Sequence, residues 1–325
     1  ETSLMRKLTY FGVFVGLSLI AWLVAWQGAV SIGATLSEIG VGVLLLLPIY
    51  AIYLAMGVVS WRLLFVPGRE PPFAVSLNAI WIGSAVNTLL PVASIGGEAV
   101  KARLLTLQGI DASEAGGSVV GDTTVQALSL ALWGLIGAAL LAAVSFDRDM
   151  VWAAFLAAGL FCAGVFAFVL LQRKGIFAYV GKRLAGQTFG DRLLEFDRHV
   201  REIYDRPGRV VTATFIRLAS RIFLTTEVWI AAWLIGHPIT VLEAIMIRSL
   251  TGAVRGAAFF IPNGLGVQEG AFMVFGALLG IPPSLSLSLS LVVRVREIIT
   301  SVPAFFVWQA IEGKSLLRVF REKTS

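Results

Sequence analysis

A short stretch between two apolar runs, FIPNGLGVQEG (260–270), contains a proline, three glycines and a carboxylate. Proline and glycine interrupt helices, and a charged side chain is costly inside a bilayer. A helix that stops partway through a membrane leaves unpaired backbone amides at the start of the next half-helix, where partial positive charge accumulates. The stretch therefore predicts a turn within the membrane that binds an anionic headgroup, formed by Pro262, Asn263, Gly264, Gly266 and Glu269.

The first half of the chain contains a similar stretch, LPVASIGGEAVK (90–101). In both stretches a glutamate follows a proline by seven positions, as Glu98 follows Pro91, and glycines lie between them. A charged residue also recurs in the apolar run after each stretch, because Asp122 lies 31 positions beyond Pro91 and Arg294 lies 32 beyond Pro262. The repetition predicts two related half-helix hairpins whose tips meet near the middle of the membrane.

Charged residues within apolar runs mark transport pathways more often than simple packing. We expect Glu98 and Glu269 to orient arginines that face a polar cavity. Lys101 and Arg103 are expected at the cytoplasmic mouth of that cavity, where long side chains can reach the interface. A purely structural network of ion pairs stays open as the alternative. Besides the turn residues, the candidate substrate-binding residues are Glu98, Asp122, Arg255, Arg294, Arg296 and Glu297.

The composition indicates an all-α polytopic membrane protein, because 57% of the residues are hydrophobic and only 14% are charged. Soluble domains carry about 25% charged residues. Cys162 is the only cysteine, so an intrachain disulfide is excluded. The spacing of the two histidines does not suggest a metal site, and no cofactor is expected. The net charge of +6 is attributed to basic loops that face anionic lipid at the cytoplasmic surface, not to nucleic-acid binding.

Apolar runs predict the membrane segments, and lysines and arginines predict their orientation. Basic residues cluster at the N-terminus, around Arg62 and Arg69, in the segment 174–208 and in the C-terminal tail, so both termini are predicted to be cytoplasmic. The candidate segments are Leu8–Gln27, Ile39–Ser60, Phe73–Leu90, a broken piece Pro91–Gln108, Ser118–Val144, Met150–Leu171, Val210–Ile235, Val241–Ile261, Gly264–Ile281 and Ser284–Ile311.

This orientation predicts one integral-membrane domain, 1–325, built as an inverted repeat. Each half would contain three spans and one re-entrant hairpin. The first repeat is 1–145 with its hairpin at 73–108, and the second is 150–311 with its hairpin at 241–281. Within the second, 174–208 is predicted to be an amphipathic cytoplasmic linker. A pair of full spans in place of each hairpin is the alternative topology.

These elements resemble the flippase-like membrane family that includes the transmembrane domain of lysyl-phosphatidylglycerol synthase. The resemblance is carried by LPVASIGGEAVKARLL, FIPNGLGVQEGAFMVFGALLGI and the last span with RVREIITSVPAFFVWQ. The GVQEG form and the RVREI…P…WQ ending look most like hopanoid-biosynthesis-associated membrane proteins. The family's Pro–Glu hairpin corresponds here to Pro262 and Glu269, and its arginine before a proline corresponds to Arg296 before Pro303. The Asp-Arg pair often found in the family is replaced here by Asp122 and Thr123.

The resemblance implies that the chain moves a polar or hopanoid-type lipid between the leaflets of a bacterial inner membrane, without enzymatic activity. Two other classes stay open from the residues: an anion channel or ion-coupled carrier of small solutes, and an integral-membrane transferase that modifies a lipid. The expected partners are the lipid substrate, anionic lipid at the cytoplasmic surface, and either a second copy of the chain or a lipid-biosynthesis enzyme.

Overall fold

The computed structural model describes residues 37, 39–90, 96–144, 148–177, 179, 183, 187–258 and 261–324. Throughout these residues the secondary structure is helical, with no strand. The predicted span Leu8–Gln27 and the predicted hairpin tip at Pro91 lie outside the described residues.

Eleven α-helices are described within these ranges. The first five are α1 (Leu46–Arg62, preceded by a 3-10 turn at Gly40–Leu45), α2 (Phe73–Leu89), α3 (Gly96–Thr106), α4 (Ala112–Val144) and α5 (Arg148–Arg173). They are followed by α6 (Gln187–Tyr204), α7 (Pro207–Leu224), α8 (Thr226–Leu234), α9 (Val241–Ala257), α10 (Val267–Leu278) and α11 (Pro283–Thr324).

Three of the described helical segments are long and apolar enough to cross a membrane: Gly40–Arg62, Ala112–Ala143 and Val151–Arg173. Phe73–Leu89 and Val267–Leu278 are apolar but shorter. Short apolar helices next to breakers are what half-helix hairpins require. The chain is therefore a multi-pass membrane protein, as the composition predicts.

One of the predicted segments is divided in the structure. The predicted span Val210–Ile235 comprises two helices, because α7 ends at Leu224 and α8 begins at Thr226, with Thr225 in helical dihedrals between them. The hydroxyl of Thr225 donates to the carbonyl of Ile222 at 2.6 Å, and its amide bonds the same carbonyl in a tighter, 3-10-like pattern. The last predicted span, Ser284–Ile311, lies within α11, which continues through Pro303.

The packing of the two hairpins is reciprocal. In the first, α2 packs on α3 and also on α11, whereas in the second, α9 packs on α10 and also on α4. The 3-10 turn at the tip of the second hairpin, Pro262–Gly264, contacts α2. Helices α1 and α7 pack on each other between the two sets. Both hairpins therefore reach the same interior of the helix bundle.

Helix α6, which lies within the segment 174–208, is amphipathic, and its apolar side packs on α4. Val200 is fully buried and Ile203 nearly so. A Cβ atom at Gly121 would lie 2.7 Å from the Ile203 side chain, and one at Gly117 would lie 2.9 Å from His199. The Gly117/Gly121 pair thus permits close helix packing, which anchors the linker on the core of the protein.

Candidate functional site

The first hairpin brings a carboxylate and an amine into the interior. Helix α3 begins at Gly96, so Glu98 lies in its first turn and Lys101 follows one turn later. Lys101 Nζ lies 2.7 Å from Glu98 Oε2 and 2.9 Å from Asp122 Oδ2 of α4. Asp122 is fully buried and Lys101 is only 3% exposed. These residues form a buried ion-pair chain behind the first hairpin.

Arg217 of α7 joins this chain from the second half of the sequence. Its Nη2 atom lies 2.7 Å from Asp122 Oδ1. The guanidinium can lie across α1 only because residue 57 is glycine, since a Cβ atom there would be 2.4 Å from Arg217 Nη1. Thr123, where the resemblance implies an arginine, instead donates its hydroxyl to Glu98 at 3.4 Å. Arg217 therefore supplies the guanidinium next to Asp122.

The tip of the second hairpin has left-handed backbone. Asn263 has φ +50°, and Gly264 and Gly266 have φ +59° and +75°. Left-handed conformations suit glycine and are uncommon for other residues, although asparagine tolerates them better than most. The glycine-rich sequence therefore permits the sharp turn that aims the start of α10 into the protein.

Arginines hold the turn by its carbonyl groups. Arg294 of α11 donates to the carbonyls of Asn263 and Gly264 at 2.8 and 3.0 Å. The same guanidinium lies 2.8 Å from Glu269 Oε1 and 3.4 Å from Glu297 Oε2. Arg255 of α9 donates to the Asn263 side chain at 3.2 Å. This second set of ion pairs fixes the hairpin tip against α11.

One amide at the start of each of these two helices is bonded within the protein, whereas the sequence predicted free amides there. The Gly97 amide donates to the Asn87 side chain at 2.8 Å, and the Gly266 amide donates to Glu269 Oε2 at 2.8 Å. A carboxylate at a helix N-terminus satisfies both an orphan amide and the helix dipole. These two amides are therefore already occupied within the protein.

A polar cavity of about 240 Å³ lies between the two hairpins. Five of the predicted binding residues line it together with Lys101: Glu98, Arg255, Asn263, Gly264 and Glu297. Arg217, Gln126 and Asn87 also line it, with Tyr53, Leu54, Ile80, Ser84, Thr88 and Ile261. The cavity therefore contains acidic, basic and amide groups from both halves of the chain.

The remaining predicted binding residues are not among those lining the cavity. Asp122 and Arg294 are buried behind the wall, and Glu269 caps α10. Arg296 forms a bidentate pair with Glu227 of α8, at 2.7 and 3.0 Å. Its guanidinium also stacks 4.4 Å from the ring centroid of Tyr50. In this arrangement Glu227 and Tyr50 occupy the guanidinium of Arg296.

The two residues predicted at the cavity mouth have different surroundings. Lys101 is buried and lines the cavity, deeper than the snorkelling interpretation predicts. The Arg103 side chain is 52% exposed and its Nε lies 3.6 Å from Glu312 of α11. A direct role in binding therefore suits Lys101 better than Arg103.

Sequence reasoning missed several uncharged polar groups of the site. Gln268 is fully buried, accepts from Arg255 and donates to Ser290 at 3.1 Å. Gln126 donates to Asp122 at 3.0 Å. An amide side chain inside an apolar run is itself unusual, so such residues are detectable, but their partners are not. Among the described residues, no group of three or more His, Cys, Asp or Glu side chains is placed to hold a metal.

One known protein family matches most of the chain. A family model described as the lysylphosphatidylglycerol synthase TM region matches residues 12–304. The chain belongs to this family. No curated protein and no solved structure matches the chain. Membership in the family, together with the apolar helices, indicates a multi-pass membrane protein with a lipid-related function.

Proposed function

We propose that this protein moves a polar lipid between the two leaflets of a bacterial inner membrane, as a transporter without enzymatic activity. The observation that carries the proposal is the polar cavity of about 240 Å³ between the two hairpins. A lipid headgroup that crosses a bilayer must leave water, and a hydrated or hydrogen-bonding interior lowers that cost. The cavity supplies such groups from both halves of the chain.

The charged groups of the wall support binding of a headgroup. The Arg255 side chain is 28% exposed, that of Glu98 is 22% exposed and that of Glu297 is 13% exposed, although all three lie among membrane helices. Ion pairs that retain this exposure can exchange partners with a ligand, whereas the fully buried Asp122 cannot. Glu98, Arg255 and Glu297 are therefore proposed to contact the headgroup.

We also propose that the two halves form an inverted repeat with both termini in the cytoplasm. The reciprocal packing supports it, because α2 lies on α11 while α9 lies on α4. Under a twofold exchange of the halves, α2 and α4 correspond to α9 and α11, so each contact is the image of the other. Transporters with such repeats place the substrate between them.

The hydrocarbon part of the lipid is proposed from the sequence alone. The GVQEG turn and the RVREI…P…WQ ending, which resemble hopanoid-associated proteins, support a hopanoid-type lipid as one cargo. A second copy of the chain or a lipid-biosynthesis enzyme is the proposed partner.

Translocation in reconstituted vesicles tests the proposal. Purified protein would be incorporated into liposomes containing trace fluorescent phospholipids, and a membrane-impermeant quencher would report their movement. We expect Arg255→Gln and Glu98→Gln to slow movement by about tenfold, equivalent to ~1.4 kcal/mol. Arg69→Gln, at an exposed loop position, is the matched control and should leave the rate unchanged. Equal rates for the wild type and both cavity variants would overturn the proposal.

Two other activities have separate signatures in the same vesicles. Flux of small anions without lipid movement would identify an anion channel or solute carrier. Turnover of a labelled lipid donor by the pure protein would identify a transferase. Either result in the absence of lipid movement would replace the proposed function.

A further inference from the structure

The ionisable side chains around the cavity do not balance. Among the described residues, seven cationic side chains and five carboxylates belong to one cluster that surrounds the cavity, which leaves two positive charges in excess. We call this set the charged cluster. It consists of Lys101, Arg217, Arg221, Arg248, Arg255, Arg294 and Arg296, with Glu98, Asp122, Glu227, Glu269 and Glu297.

Sharing of carboxylates produces part of this excess. Glu227 lies 2.7 Å from Arg296 Nε and 4.0 Å from Arg248 Nη2. Glu297 lies 3.3 Å from Arg255 and 3.4 Å from Arg294. Each carboxylate carries one negative charge, so Glu227 leaves one of its two guanidinium groups uncompensated, whereas Glu297 and Glu269 together offset Arg255 and Arg294.

Arg221 of α7 contributes the rest. Its Nε donates to the Ser129 hydroxyl at 3.0 Å and its Nη2 to the Gln126 carbonyl at 3.2 Å. Both of these acceptors are neutral. Gln126 also lines the cavity, so the positive charge of Arg221 lies one residue behind the cavity wall.

Two residues that line the cavity each contain a buried donor atom without an acceptor in the described part of the chain. They are Arg217 Nε and Asn263 Nδ2. Arg217 is 4% exposed, and both residues line the cavity. A buried donor without an acceptor carries the full cost of its desolvation. Since both unpaired atoms are donors, the group that completes the site must present acceptors.

We propose that the cavity takes a phosphate monoester headgroup, whose oxygens accept from Arg217, Asn263 and Arg255. A phosphate monoester carries about −1.5 to −2 charge at pH 7, which offsets the two excess positive charges. It also presents three acceptor oxygens, and the planar guanidinium fork suits phosphate better than a point charge does. A zwitterionic headgroup would leave the excess charge uncompensated.

This inference rests on the proposed function for its lipid source. Inorganic phosphate presents the same chemistry, so the experiment must separate a lipid from a free anion. The inference concerns the headgroup, whichever hydrocarbon carries it.

The test compares three lipids with the same fluorescent acyl chain: phosphatidic acid, phosphatidylglycerol and phosphatidylcholine. In liposomes containing the intact protein, we expect phosphatidic acid to cross about tenfold faster than phosphatidylcholine, with phosphatidylglycerol between them. Uptake of radiolabelled inorganic phosphate into the same liposomes is measured in parallel. A thermal unfolding scan in detergent, with inorganic phosphate against sodium chloride at equal ionic strength, measures binding separately from transport.

Variants test whether the preference for phosphatidic acid depends on the excess positive charge of the charged cluster. Arg221→Gln and Arg248→Gln should reduce the preference for phosphatidic acid to about twofold or less, whereas Arg221→Lys, which retains the charge, should preserve most of it. Arg198→Gln on the exposed side of α6 is the matched control. If a glutamine variant does not fold, the lysine variant and the wild-type binding scan still decide the outcome.

The outcomes separate the two proposals. Faster movement of phosphatidic acid that declines in the glutamine variants supports the inference. Equal movement of all three lipids overturns it and leaves lipid translocation standing. Phosphate uptake without movement of any lipid overturns lipid translocation and assigns the oxyanion site to a free anion. No movement of any probe, together with no thermal shift by phosphate, overturns both.

Discussion

At the scale of single residues, Asp122 is a buried carboxylate that depends on two cationic partners. It is fully buried and lies 2.9 Å from Lys101 and 2.7 Å from Arg217. Removing one partner of a buried pair leaves an uncompensated charge, at a cost of about 3–5 kcal/mol. We therefore expect Asp122→Asn to lower the unfolding free energy by that amount, measured by denaturant or thermal unfolding in detergent.

The control for Asp122 is an exposed pair of the same chemistry. Glu195 lies 2.9 Å from Arg198 on α6, with both side chains more than half exposed. Exposed pairs contribute little, so Glu195→Gln should leave stability nearly unchanged. The double variant Asp122→Asn/Arg217→Met should recover part of the loss, because it removes one of the stranded charges. If Asp122→Asn were as stable as the wild type, the buried ion-pair chain would not exist as described.

Replacing Gly57 tests whether lipid movement depends on the position of the Arg217 guanidinium. A glycine in a helix is normally about 1 kcal/mol less favourable than alanine. Here the added Cβ atom would lie 2.4 Å from Arg217 Nη1, so Gly57→Ala should displace the guanidinium from the cavity wall. We expect slower lipid movement in vesicles while circular dichroism shows the helices intact.

Gly270 of α10 provides the comparison for Gly57. A Cβ atom there meets nothing within 4 Å, so Gly270→Ala should leave transport unchanged. Transport at the wild-type rate in Gly57→Ala would argue that Arg217 is structural only.

At the scale of elements, the first hairpin contains a very close contact between the backbones of its two helices. A Cβ atom at Gly97 of α3 would lie 2.1 Å from the carbonyl oxygen of Gly83 in α2 and 2.6 Å from the Asn87 side chain. Backbone cannot move aside as a flexible side chain can, and overpacking costs about 1–3 kcal/mol. We therefore expect Gly97→Ala to lower the melting temperature and to reduce transport, because α3 would separate from α2.

The matched variant for this prediction is Gly159→Ala in α5, where an added Cβ atom meets nothing within 4 Å. Thermal unfolding of both variants in the same detergent isolates the effect of the clash. A melting temperature for Gly97→Ala equal to that of Gly159→Ala would contradict the tight packing of the hairpin.

The elements were more predictable than the contacts between them. Apolar runs and breakers predict α2, α3, α9 and α10 to within a few residues, because proline and glycine limit helices locally. The turn at Thr225 was not predicted, since a threonine in an apolar run gives no comparable signal. The sequence also did not predict which charged residues would pair. Asp122 pairs with Arg217 across 95 positions, and nothing in the periodicity of α7 selects that arginine.

The same limit applies to Arg296. Its position before Pro303 resembles the pattern of the family, which favoured a binding role. Its guanidinium is nevertheless occupied by Glu227 and stacked on Tyr50. A sequence identifies that a charge lies within the membrane, but only the packing of α8 against α11 decides whether that charge faces a cavity or a partner.

At the scale of the whole molecule, the proposed inverted repeat makes a prediction about the sides of the membrane. Arg69 lies in the loop before the first hairpin, between α1 and α2, and His237 lies in the corresponding loop before the second, between α8 and α9. Both residues are exposed. If the halves are inverted, these equivalent loops face opposite compartments, with Arg69 in the cytoplasm by the charge rule.

Single-cysteine labelling measures this directly. In a Cys162→Ala background, which removes the only native cysteine, Arg69→Cys and His237→Cys would be expressed in a bacterial host. We expect a membrane-impermeant maleimide to label His237→Cys in spheroplasts and Arg69→Cys only in inside-out vesicles. Labelling of both from one side would mean that the two hairpins enter from the same face. The reciprocal packing of α2 on α11 and α9 on α4 would then be a coincidence. The central cavity would not lie between two inverted halves.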